Sequence, residues 1–191
     1  ADNLTKYYIL NLYTGDLVWS KNNPAPFNSQ IKIYKDRFFI IDFTNTLRCF
    51  SIKDGEELWN FQTESSLIRS QKKLSMVIVG DVVYFNNSLG DISAVNLNDG
   101  GLLWQLPTQS NVIYESAFSL ETSDIIADEN NLFFSNNKNQ FFSIDIKSGN
   151  FNWENTVNSN LRPTLIENFL ISVSLEGYLI VIDKITGNII K

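Results

Sequence analysis

The sequence has no histidine and only one cysteine in 191 residues. The missing histidine excludes the most chemistry, because Ser-His-Asp triads, Cys-His dyads and histidine-ligated zinc or iron are all closed to this chain acting alone. Acid–base work is left to carboxylate, Lys and Tyr. Cys49 can form neither an internal disulfide nor a multi-thiolate metal site, so cysteine usage leaves the redox compartment open. Cations are sparse as well. Fifteen Lys and Arg face 21 Asp and Glu for a net charge of -6, and Lys72-Lys73 is the only adjacent basic pair. A nucleic-acid surface draws on clustered Lys and Arg, so that class of partner drops out. No apolar run approaches the roughly 20 residues of a membrane helix, and Ala1 to Lys6 does not read as a signal peptide.

Aromatic residues, by contrast, are plentiful: four Trp, seven Tyr and fourteen Phe in a chain that is 43% hydrophobic. A chain of this length buries about 70% of its unfolded surface, which is enough for a core without disulfide or metal staples. The tryptophans are also periodic. Trp19, Trp59, Trp104 and Trp153 each lie four residues after a glycine, in Thr14-Gly15, Asp54-Gly55, Asp99-Gly100 and Ser148-Gly149. A fifth copy, Thr186-Gly187, has Lys191 where the tryptophan would stand, and the copies are 38 to 49 residues apart. Ten residues before the last four glycines stand Asn45, Gly90, Asn139 and Gly177. Gly and Asn adopt positive φ at low cost, so each copy reads as two hairpins with tight turns about ten residues apart.

Short β-branched and aromatic runs precede these turns, as in Arg37 to Asp42, Val82 to Phe85, Leu132 to Ser135 and Phe169 to Val173. Three or four strands per copy at this period describe an all-β fold, a β-propeller of four-stranded blades. We expect about four to five blades, part of a seven- or eight-bladed ring. The expected division is a partial blade over 1–20 and blades over 21–63, 64–108, 109–157 and 158–191, all in one propeller segment. A blade must stack on its neighbour to bury both faces, which assigns Trp19, Trp59, Trp104 and Trp153 to structural blade packing. Asp54, Asp99 and Asp145, repeated at turns and strand ends, are read as hydrogen-bonding residues rather than catalytic carboxylates. Open blade edges at both ends invite pairing, including self-association of two chains.

The repeat Leu/Ile-x-x-x-Asp/Ser/Thr-Gly-x-x-x-Trp resembles the quinoprotein-type (PQQ-like) propeller repeat along nearly the whole chain. Within that superfamily, Ile92-Ser93-Ala94-Val95 through Gly100-Gly101-Leu102-Leu103-Trp104-Gln105 and Leu175-Glu176-Gly177-Tyr178-Leu179 look like the BamB outer-membrane assembly lipoproteins. The resemblance implies a periplasmic, non-enzymatic protein-interaction scaffold without cofactor. It also implies a partner, the POTRA region of the barrel-assembly protein BamA. The family's contact loops suggest partner-binding roles for Leu67, Ile68 and Arg69, and more loosely for Glu121. The family's paired aspartates are not reproduced cleanly. Its lipidated amino-terminal cysteine has no counterpart, since Cys49 lies within a strand run, so an outer-membrane anchor is expected on an upstream segment. Two alternatives are a fragment of a PQQ-dependent dehydrogenase and a ligand-binding propeller of another role. The dehydrogenases carry an adjacent-cysteine disulfide and a metal site; this chain has no adjacent cysteines and no calcium-loop pattern, so no metal ligands are assigned.

Overall fold

The computed structural model describes residues 4–64, 73–108 and 120–191, and every regular element among them is a β-strand. The chain opens with an antiparallel hairpin of β1 (Lys6–Leu10) and β2 (Leu17–Asn22). Three four-stranded antiparallel meanders follow. The first contains β3 (Lys32–Tyr34), β4 (Arg37–Ile41), β5 (Thr46–Ser51) and β6 (Glu57–Gln62). The second contains β7 (Met76–Val79), β8 (Val82–Asn86), β9 (Ile92–Asn96) and β10 (Leu102–Leu106). The third contains β11 (Ile126–Ala127), β12 (Asn131–Asn136), β13 (Gln140–Asp145) and β14 (Phe151–Asn155). A last sheet of β15 (Thr164–Ile166), β16 (Phe169–Val173) and β17 (Leu179–Asp183) is extended by a bridge from Ile182 to Ile189 in the fourth-strand position.

In the three four-stranded sheets the middle strands are buried at nearly every position because both of their faces are covered. Side chains alternate across a strand, so Phe38 and Ile40 of β4 face the first hairpin while Phe39 and Ile41 face the next sheet. Four such seams hold the fold together. Tyr7, Phe38, Ile40 and Phe50 fill the first; Phe39, Leu47, Met76, Val83, Phe85 and Val95 lie in the second. Tyr84, Ile92, Leu132, Phe134 and Phe142 lie in the third, and Phe133, Phe141, Leu170 and Ile182 in the fourth. The fourth strands β6, β10 and β14 lie at sheet edges and are largely exposed. The first strands sit where neighbouring sheets approach: Ser29 bridges Leu74 in parallel, and β7 contacts β11.

Turn chemistry follows the two registers. Asn45 and Asn139 take φ of 58° and 59°, in the left-handed region that Asn tolerates better than most residues. Asp145 accepts the backbone N–H and the hydroxyl of Ser148, and those bonds hold its carboxyl below the usual range.

Cys49 is fully buried in the second seam, and burial pushes its thiol up to about 12. The thiolate is the reactive form, so modification requires unfolding. Ellman-type labelling at pH 8 is therefore expected to be negligible in native buffer and to rise steeply through the denaturant transition. Immediate stoichiometric labelling of the native chain would contradict this burial.

Candidate functional site

The seams carry a repeated lock. Trp19 of β2 donates its indole N–H to Ile52 O at 3.0 Å, and Trp59 of β6 donates to Leu97 O at 3.1 Å. Trp104 of β10 and Trp153 of β14 donate to Ile146 O and Lys184 O, both at 3.0 Å. Each acceptor lies three residues before the repeat glycine of the following sheet. The indole also covers that glycine: a β-carbon built on Gly55, Gly100, Gly149 or Gly187 would fall 2.8, 2.5, 2.7 or 2.6 Å from a ring atom of Trp19, Trp59, Trp104 or Trp153. A tyrosine reinforces two of these seams, with Tyr7 donating to Gly55 O and Tyr84 to Ile146 O. No indole is offered to solvent as a bare aromatic platform, since all four are partly buried in seams.

A polar rim lies at the end of the sheets where the second-to-third-strand turns meet the connections between sheets. Backbone bonds tie the two together: Thr63 N–H to Asn45 O, Asn137 N–H to Glu121 O, and Leu175 N–H to Asn158 O. Side chains then link neighbouring sheets. Asn45 Nδ2 donates to Ser88 Oγ at 2.8 Å, and Asn86 Nδ2 to Thr122 Oγ1 at 2.7 Å. Asn158 Nδ2 donates to Glu176 Oε1 at 2.7 Å, and that bond holds the Glu176 carboxyl below its ordinary range. Asn160 Nδ2 donates to Glu121 Oε2. Such bonds restrict the rim to one arrangement, which suits rigid presentation of loops to a partner.

Beneath the rim, Asp42 is fully buried. Its carboxylate accepts Arg48 Nε at 2.8 Å, and Arg48 reaches Glu57 at 2.7 Å. Asn23 Nδ2, the N–H and hydroxyl of Thr44 and the Thr46 N–H also donate to Asp42. A buried carboxylate matched by a guanidinium and backbone donors pins a loop. This group ties the connection at Asn23 to the Asp42 turn.

Of the residues singled out for partner binding, Leu67, Ile68 and Arg69 fall outside the described residues. Glu121 is described: it is exposed on the rim, with its backbone N–H bonded to Asn137 Oδ1 at 3.0 Å and its carboxylate to Asn160. The Asn bonds across the rim are not legible in the sequence, where Asn45 reads as a turn former. Of the four donors only Asn45 occupies the repeated turn position, so no periodic signal marks the other three. Among the described residues no three His, Cys, Asp or Glu side chains gather in a way that could hold a metal ion.

The family model described as "Outer membrane protein assembly factor BamB" matches residues 2–191. The BamB of Shewanella oneidensis is 28% identical over 120 residues, covering 61% of this chain and 28% of that protein. The crystal structure of BamB from Moraxella catarrhalis superposes with a TM-score of 0.79 at 16% identity, over 99% of this chain and 58% of that one. A europium-containing methanol dehydrogenase superposes with a TM-score of 0.74 at 12% identity, over 97% of this chain and 47% of that one. The chain thus spans well under two thirds of the length of these relatives. The likeness to solved structures establishes the propeller fold, and the match along almost the entire sequence establishes the lineage: the chain belongs to the BamB family of quinoprotein-type β-propellers.

Proposed function

We propose that this chain acts as a non-enzymatic protein-interaction scaffold in the periplasm, assisting the assembly and insertion of outer-membrane β-barrel proteins. The observation that carries this reading is the family match over residues 2–191, and the cross-linked rim supplies a rigid surface for such a role. The partner is the POTRA region of BamA, contacted through Glu121 on the rim and through Leu67, Ile68 and Arg69. Membrane association comes from an upstream lipidated segment. The mechanism is presentation: rigid blades hold loops in one geometry, so little ordering is required on binding.

Affinity capture from a native envelope extract tests this, with the parent chain, Arg69→Glu and Glu121→Lys as baits. The parent is expected to retain the barrel-assembly protein, and each charge reversal to weaken retention several-fold with unchanged folding. Equal retention by all three would remove these residues from the contact. Failure of the parent to retain it would remove the scaffold reading. The likeness to a methanol dehydrogenase favours a second reading, a dehydrogenase fragment. Calorimetric titration with pyrroloquinoline quinone and calcium tests it, with saturable binding as its signature.

A further inference from the structure

A cavity of about 160 Å3 lies between β7 and β11, the first strands of the second and third four-stranded sheets. Its two walls are joined by the Ile125 N–H, which donates to Ser75 Oγ at 2.9 Å. The repeat sets the lining. Gln30, Ser75, Asp124 and Arg162 stand fifteen residues before Asn45, Gly90, Asn139 and Gly177, and all four line this one cavity, so a single register of four successive sheets converges there. All four are polar. Lys32 and Lys73 complete the charged lining, which gives three cations and one carboxylate in a chain where acids outnumber bases. Elsewhere in the fold cations close to carboxylates pair with them, Arg48 with Asp42 and Glu57, and Lys184 with Asp128. Here they do not: among the described residues, Lys32, Lys73, Asp124 and Arg162 make no side-chain hydrogen bond or ion pair. The Ser75 side chain is buried, and no described residue accepts its hydroxyl proton. A buried donor without an acceptor calls for a ligand or a water.

We propose that this cavity is a binding site for inorganic phosphate in its hydrogen phosphate form. Lys32, Lys73 and Arg162 supply charge-assisted donors for the oxygens, and the Ser75 hydroxyl adds a neutral one. Asp124 decides which anion is taken. A carboxylate only accepts hydrogen bonds, so it repels an oxyanion stripped of its protons and bonds one that keeps an O–H. Hydrogen phosphate keeps that O–H at neutral pH. Sulfate has none, and a phosphate monoester, with its second pKa near about 6, has mostly lost its own. The volume also suits a small ion, since pockets for drug-sized ligands run from about 300 to 1,000 Å3. The inference stands apart from the scaffold reading, because Glu121 lies on the rim and does not line the cavity.

Calorimetric titration of the whole chain with inorganic phosphate, sulfate and glycerol 3-phosphate, at about pH 7.5 and fixed ionic strength, tests the site. Phosphate is expected to bind at one site per chain, about tenfold or more tightly than either competitor. Arg162→Gln and Lys32→Gln should each weaken phosphate binding several-fold while the circular dichroism spectrum stays that of the parent. Asp124→Asn should narrow the preference over sulfate to about threefold or less, because the amide carries no repelling charge and can donate to the bare anion. Absence of saturable phosphate binding would overturn the proposal. Equal binding of sulfate by the parent, or tighter binding of glycerol 3-phosphate, would do the same. So would phosphate binding that neither Arg162→Gln nor Lys32→Gln alters, since the ion would then lie elsewhere.

Discussion

Trp104→Ala is expected to lower the unfolding free energy by about 3 kcal/mol, at the lower end of the range for truncating a large aromatic, because the indole is only partly buried. Two losses contribute. The ring leaves a gap in the third seam, beside Tyr84 at 5.7 Å between centroids, and Ile146 O loses its indole donor while keeping Tyr84 Oη. The surrounding strands come from two different sheets, so neither can collapse into the gap without pulling the other out of register. Chemical denaturation followed by far-ultraviolet circular dichroism gives the value. A loss below about 1 kcal/mol would mean that the seam does not depend on this indole.

Gly149→Val is expected to cost about 4 kcal/mol, more than removing the tryptophan that covers it. At φ 74° a β-branched residue is strained whatever the space, and its β-carbon would meet Trp104 ring carbons at 2.7 and 2.8 Å. The two contributions separate in a double-mutant cycle, because with Trp104→Ala in place the clash vanishes and only backbone strain of about 1 to 2 kcal/mol remains. Strict additivity of the two substitutions would show that indole and glycine do not meet. The glycine thus has two duties, one in its own turn and one as the surface beneath a neighbour's ring.

Much of this architecture was legible in the chain. The Gly-x-x-x-Trp spacing and the Asn or Gly ten residues earlier marked the turns, because positive φ restricts residue choice locally. The strand Arg37–Ile41 showed as an apolar run, since a sheet covered on both faces needs no polar alternation, and Phe169–Val173 showed likewise although only one of its faces is buried. The first strands showed poorly for a physical reason. At three, four, two and three residues, β3, β7, β11 and β15 are too short to display a period, and their burial depends on neighbours brought in by the fold. The rim was missed likewise: Asn45 reads as a turn former, and only the packed sheets place Ser88, 43 residues later, within reach of its side chain.

The sequence by itself determined the all-β class, the repeat period, the hairpin turns and the absence of histidine chemistry, because each depends on residue type or on spacing within about ten residues. Only the tertiary structure decided which indole meets which glycine, since donor and acceptor are 31 to 42 residues apart and nothing local specifies that distance. It also distinguished Gly15 from its four counterparts. The five glycines are equivalent along the chain, but among the described residues an indole covers four of them and none covers Gly15, because burial is a property of neighbouring sheets and not of the residue.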